Sequence, residues 1–258
     1  GLIRALERTG ERGTAELMNL AHSGEGEPLA KVVAAFLSMR EPAAAKALPE
    51  LLRHVHLSDG ERAALLRSFN NYLFDPPLSP EPILDYLIES KVKSPVVLKA
   101  GLEVLAGAGS LKGPKVANFI TDLLDSSDDG LRITAIEAIE ANRLSAAASR
   151  LTQTLGKRDR PMAERVAILK ALRVLGDKDA IPVLEEMLST KDNPEPVALR
   201  QEALRTLAAL DPERTFVAAE GLLASKDEAL QSEAVQILGT IPKGAKVVGE
   251  AFVAKTLP

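Results

Sequence analysis

One pattern of apolar and polar positions recurs seven times along this chain, at intervals of 33, 36, 34, 33, 35 and 31 residues. A fixed period of this length constrains the fold more than any composition, because it makes the chain an array of similar units. The clearest copy is Arg165–Leu188, RVAILKALRVLGDKDAIPVLEEML, in which two short helical patterns are joined by Gly-Asp-Lys-Asp. Setting Arg165 as position zero places equivalent points at Leu29, Arg62, Leu98, Arg132, Arg200 and Gln231. Four residues on stand Val33, Leu66, Leu102, Ile136, Leu169, Leu204 and Val235. Seven residues on stand Phe36, Phe69, Leu105, Ile139, Leu172, Leu207 and Leu238. The column at three runs Val32, Leu65, Gly101, Ala135, Ile168, Ala203, Ala234, and the column at six is mostly small. Offsets of three, four and seven share one helix face. The column at five (Ala34, Arg67, Glu103, Glu137, Lys170, Arg205, Gln236) lies opposite and is expected to be wet.

Each copy has a second apolar stripe beside it, such as Val116, Phe119, Leu123 and Leu124, or Phe216, Ala219, Leu222 and Leu223. One repeat is therefore a helical hairpin. A lone hairpin leaves its stripe in water, so neighbouring copies must stack. Burying about six large apolar side chains per repeat, at roughly 1.5–3 kcal/mol each, supplies most of the driving force, and ordering entropy cancels most of that gain.

The run R-x-x-A/I-x-x-A-L-x-x-L-G-D followed by A-I-P-x-L-x-x-x-L resembles HEAT-like repeats of the short, phycobilisome-lyase type, most sharply from Asp128 to Lys255. The resemblance implies an all-α fold, a right-handed α–α superhelix of about seven hairpins. It also implies a ladder between repeats, an Asp in the turn paired with an Arg early in the second helix. Asp59/Arg62, Asp129/Arg132 and Asp159/Arg165 fit that ladder; Asp192/Arg200 is spaced too widely, and the copies at Leu29, Leu98 and Gln231 lack the Arg. Tetratricopeptide repeats share the period but need bulky aromatics, and this chain has no Trp and only two Tyr.

The pairs read as 14–39, 42–73, 114–143, 146–176, 179–210 and 212–240 within a single repeat domain spanning 1–258. Ser58-Asp59-Gly60-Glu61 is a capping box, and Ser94-Pro95 opens a helix as N-cap and N1. Phe74–Pro82 carries four prolines in nine residues and lengthens one repeat to 36. Half-repeats at 1–10 and 244–258, the missing initiator Met and the lack of polar terminal caps read as a segment of a longer repeat protein.

A net charge of −4 and a pI near 5.6 argue against a polyanion groove, so no nucleic acid is expected. No run of about 18 apolar residues suggests a membrane span. Zero Cys removes disulfides, thiolate metal sites and a thiol nucleophile, and suits a reducing compartment. His22, His54 and His56 are the only histidines, and an i, i+2 pair does not share a helix face. Acidic pairs Glu185-Glu186 and Asp128-Asp129 read as exposed or helix-capping carboxylates rather than acid–base dyads. Ala106-Gly107-Ala108-Gly109 follows a helical pattern, not a strand, and reads as a helix end. No catalytic residue, metal ligand set or cofactor is expected.

The candidate binding surface is the wet column of the second helices: Arg67, Glu103, Glu137, Lys170, Arg205 and Gln236. In HEAT-like solenoids this face lines the concave groove, where an ordered row of charges can select a complementary protein partner or another domain of the same chain. A second candidate is the aromatic cluster Tyr72, Phe74 and Tyr86 around the proline-rich stretch, read either as loop packing or as a hot spot. The expected function is a non-catalytic interaction scaffold. Two alternatives follow from resemblance alone: a bilin-lyase-like protein, which the absent Cys disfavours, or the helical middle of a bacterial multidomain redox protein with propeller and c-type haem regions, outside the cytoplasm. A DNA-repair glycosylase of HEAT-like type needs a basic, aromatic groove that this chain lacks.

Overall fold

The computed structural model describes residues 6, 9–24, 26–73, 78–189 and 194–253, and its elements are helical. The chain falls into two compact units, residues 1–142 and 143–258. Unit 1 holds α1 (Gly10–Ser23), α2 (Glu27–Ser38), α3 (Pro42–Leu51), α4 (Asp59–Ser68), α5 (Glu81–Glu89), α6 (Pro95–Ala108), α7 (Pro114–Asp122) and α8 (Asp129–Asn142). Unit 2 holds α9 (Ala148–Leu155), α10 (Met162–Leu175), α11 (Ile181–Leu188), α12 (Val197–Leu210), α13 (Pro212–Leu222), α14 (Glu228–Thr240) and α15 (Gly244–Val253). Even-numbered helices are the second helices of the hairpins. They pack on one another, α4 on α6 on α8 in unit 1 and α10 on α12 on α14 in unit 2.

The aliphatic columns form the core. Every member of the column at seven is buried, and so is every member of the column at four except Val235, which is half-buried. Val235 lines an open trough between α14 and α15 with Val248 and Phe252. Gly101 in the column at three has a local cause: a Cβ there would meet Leu87 Cδ1 of α5 at 2.6 Å, so the missing side chain lets α5 approach α6.

Turn chemistry sets the helix ends. Ser58 Oγ accepts from Glu61 N at 3.2 Å and Glu61 Oε2 accepts from Ser58 N at 2.8 Å, closing the expected capping box at α4. Gly176 ends α10 with φ 70°, and the Asp177 amide donates back to Leu172 O at 3.3 Å, the left-handed cap that glycine adopts without penalty. Gly109 ends α6 likewise, as the small-residue run Ala106–Gly109 implies. Ser94 stands at the N-cap of α6 with Pro95 in the first turn, but its hydroxyl makes no capping bond. α5 starts inside the proline-rich stretch, with Pro80 at the N-cap and Pro82 in the first turn, where a missing N–H costs nothing. Residues 74–77, and with them Phe74, lie outside the described residues, as does most of the half-repeat at 1–10. α1 begins at Gly10, four residues before the first pair was expected to start. α15 packs on α14 as the first helix of a further pair would.

Where an Asp–Arg ladder between repeats was expected, four of the seven position-zero residues show ties inside their own repeat. Arg62 donates to the carbonyls of Leu52 (3.1 Å), His54 (2.8 Å) and Leu57 (2.6 Å), all in its own α3–α4 connection, and meets Asp59 only at 3.5 Å along its own helix. Arg132 reaches Ser126 O at 2.7 Å and Asp129 at 2.7 Å. Arg200 reaches Ser189 O at 3.1 Å, and Gln231, lacking a charge, still reaches Leu223 O at 2.6 Å. In these four copies the residue at position zero thus bonds carbonyls at or just beyond the end of the first helix. Those carbonyls are local, so the tie is local. Arg165 is the exception: it forms a two-pronged pair with Glu195 of the following repeat, at 2.6 and 2.9 Å.

Candidate functional site

The column at five is exposed on all seven second helices, as helical spacing requires. Its charged members differ in how far they are already engaged. In unit 1, Arg67 and Glu103 bond each other across neighbouring repeats at 2.7 and 3.2 Å, and the carboxylate pushes the guanidinium pKa up. Glu137 is exposed and meets no cation among the described residues. In unit 2, Arg205 is gripped by Glu233 at 2.5 and 2.8 Å and touches Glu202 at 3.4 Å; these carboxylates raise its pKa. Glu202 is shared with Arg173 at 2.9 Å. Lys170 and Gln236 are exposed and show no polar partner among the described residues.

Sequence reasoning placed these side chains on one wet face and did not foresee their mutual pairing. The signal was present: Arg67 and Glu103 stand 36 residues apart, one repeat length. Equal offsets in adjacent copies sit side by side, so opposite charges at equal offsets pair. Glu233 has a different offset and was not legible as the partner of Arg205. In each unit the pairing leaves a smaller set for a partner: Glu137 in unit 1, and Lys170 with Gln236 in unit 2.

The two described members of the aromatic cluster turn inward. Tyr72 is 6% exposed and its hydroxyl donates to Met39 O of the preceding repeat at 2.7 Å. Tyr86 is 2% exposed, lies under the Arg53 guanidinium at 5.9 Å, and burial pushes its phenol pKa up. Both are committed to packing, so neither presents a ring to a partner. Asn142 went unnoticed in sequence. It is 0% exposed, donates to Leu105 O (2.9 Å) and Ala138 O (3.0 Å), and accepts from Leu111 N (3.1 Å). Both polar ties come from the column at ten, Met39, Tyr72, Ala108, Asn142, Leu175, Leu210 and Ile241, in which Tyr72 and Asn142 are the two polar members.

The remaining acidic and histidine groups are spoken for. Glu185 bonds Arg214 at 2.8 Å and Glu186 bonds Arg158 at 3.1 Å, both from neighbouring repeats of unit 2. Asp128 caps α8 through Leu131 N at 2.6 Å and pairs with Lys99 at 2.7 Å; the lysine first, then the amide, holds its carboxyl below the usual range. His54 and His56 sit together in the α3–α4 connection with ring centroids 5.6 Å apart. No group of three His, Asp or Glu side chains among the described residues could hold a metal ion. No helix among them is long and apolar enough to cross a membrane.

Residues 118–198 match the family model of HEAT repeats. Among solved structures, human deoxyhypusine hydroxylase in complex with glycerol is 18% identical, with a TM-score of 0.40, covering 93% of this chain and 90% of its own. An engineered protein is 19% identical, with a TM-score of 0.43, covering 90% of this chain and 97% of its own. The comparison with curated proteins finds no match. The described residues form an all-helical array of repeated hairpins, and the match to HEAT repeats covers residues 118–198 of it.

Proposed function

We propose that this helical repeat protein is a non-catalytic scaffold that binds a protein partner, or another domain of its own chain, along the exposed face of its second helices. The observation that carries this reading is the register of the column at five. Side chains at one offset emerge to solvent in every copy, while offsets three, four and seven are spent on packing. A row with such spacing matches a partner that repeats its contacts from one second helix to the next. Unit 2 is the stronger half of the surface. There Lys170 stands uncompensated, Gln236 offers an amide that both donates and accepts, and Arg205 is held in place by Glu233. A fixed guanidinium loses less entropy on binding than a free one.

The decisive experiment is a pull-down comparing the wild type with Lys170→Glu and with Arg205→Glu. Lys170→Glu leaves the core columns untouched, so it is expected to keep its fold and lose at least about tenfold in partner recovery. Equal recovery from both variants and the wild type would remove the second-helix face from consideration.

A further inference from the structure

A group of cations that the column reading does not use lies in unit 1. A cavity of ≈ 480 Å³ opens where the α3–α4 connection meets the α5–α6 connection. Arg53, Arg62, Lys91 and Lys93 line it, with the Tyr86 ring at its wall and Ser94 at the start of α6. Its cations are not equally compensated. Glu89 answers Arg53 at 2.9 Å and Asp59 answers Arg62 at 3.5 Å, whereas no carboxylate pairs with Lys91 or Lys93 among the described residues. In a chain of net charge −4, two uncompensated ammonium groups beside a concave wall make a local field of the opposite sign.

Three further features face the same way. Lys91 occupies the left-handed cap of α5 at φ 47°, with its own amide bonded to Ile88 O and the next amide to Leu87 O. Glycine fills that conformation at lower cost, so the lysine is kept there at the expense of backbone strain. The Ser94 hydroxyl makes no capping bond, unlike Ser58, Asp211 and Asp227 at the starts of α4, α13 and α14. The early amides of α6, a helix of 14 residues, add the positive end of its dipole.

We propose that this cavity is a binding site for a doubly charged oxyanion, a phosphate group either free or carried as a monoester. Lys91 and Lys93 supply the two charges that a phosphate dianion would neutralise and Ser94 supplies a hydroxyl donor, while Arg53 and Arg62, matched by Glu89 and by Asp59 in the same wall, add no net charge. The volume exceeds that of one phosphate and leaves room for the organic part of a small monoester. This site is independent of the second-helix face, so each proposal stands or falls alone.

Isothermal titration calorimetry of the full chain at constant ionic strength tests it, with inorganic phosphate and with phosphoserine as titrants and sodium chloride as the blank. Saturable heat from at least one titrant is expected. The double variant Lys91→Ala/Lys93→Ala, whose side chains are exposed, should retain its helical circular dichroism and bind at least about tenfold more weakly. Lys178→Ala, at an exposed lysine away from the cavity, should bind as the wild type does. Tighter binding of phosphoserine assigns an organic phosphate, and equal binding assigns the free anion. Absence of saturation with either titrant, or undiminished affinity in the folded double variant, would overturn the site.

Discussion

Units 1 and 2 use the same repeat and stitch successive copies together with different polar chemistry. In unit 1 the buried stitches are neutral: the Tyr72 hydroxyl on Met39 O, and Asn142 spanning Leu105 O, Ala138 O and Leu111 N. Its ion pairs between repeats include Arg53–Glu89, Arg67–Glu103 and Asp85–Lys115 at the surface and the half-buried Lys99–Asp128. Unit 2 has a buried ionic stitch as well, Arg165 with Glu195, both side chains 5% exposed. Thr206 adds a neutral bond to Leu169 O at 3.2 Å. The apolar columns are alike in both, so they set how the helices stack, while the choice of polar stitch remains free. What the choice changes is the response to mutation, acid and salt.

The largest effect is expected from Arg165→Met. It removes the two-pronged partner of the Glu195 carboxylate, which sits in a nearly closed site with the half-exposed Arg158 at 3.4 Å, and should destabilise the protein by about 3–5 kcal/mol. Both tyrosines lie in unit 1, so tyrosine fluorescence follows that unit while far-ultraviolet circular dichroism follows the whole chain. In a urea titration, Arg165→Met should move the dichroism transition and leave the earliest loss of structure silent in fluorescence. A change confined to fluorescence would break the contrast.

Next comes Asn142→Leu, which deletes the amide while leaving Leu105 O and Leu111 N buried. A cost of about 2–3 kcal/mol is expected, visible in tyrosine fluorescence because the loss is in unit 1. A neutral outcome would mean that the apolar column at ten alone joins these repeats.

Acid gives the smallest and most selective effect. The Arg165 hydrogen bond, against an opposing effect of burial, holds the Glu195 carboxyl below its ordinary 4.5. A carboxyl lowered on folding contributes stability above its unfolded pKa and loses it as pH falls through the folded one. Unit 2 should therefore lose its ionic stitch below about pH 4.5, whereas Tyr72 and Asn142 do not change charge there. Glu61 and Asp128 of unit 1 are also lowered, but they are capping groups at the surface, screened by solvent. Urea titrations at pH 7 and pH 4 should show dichroism losing more than fluorescence. Equal losses would place the acid-sensitive contacts in both units.

The helices were legible in sequence because periodic burial is a one-dimensional property. Offsets four and seven came out apolar and buried, and Ser58 and Gly176 marked their ends correctly. Polar contacts were less legible, because a side chain chooses its partner in three dimensions. The family resemblance placed Arg62, Arg132 and Arg165 in one ladder, yet Arg62 and Arg132 bond carbonyls of their own turns and Arg165 pairs with Glu195. Glu195 lies in the α11–α12 connection, outside the columns compared, and so could not be assigned to Arg165. Asn142 could have been found, since it is an amide in a column otherwise filled almost wholly by apolar groups.

Because the residue at position zero closes its own hairpin, most repeats carry their polar fastening with them. A cut between hairpins then severs apolar contacts and surface pairs, not the bonds that shape each turn, so lengthening or shortening the array by one whole unit is a mild edit at most junctions. The junction bridged by Arg165 and Glu195 is different: removing the repeat that begins at α11 would leave an arginine facing a void, and a lineage that once gained that pair could no longer shed the neighbour supplying it.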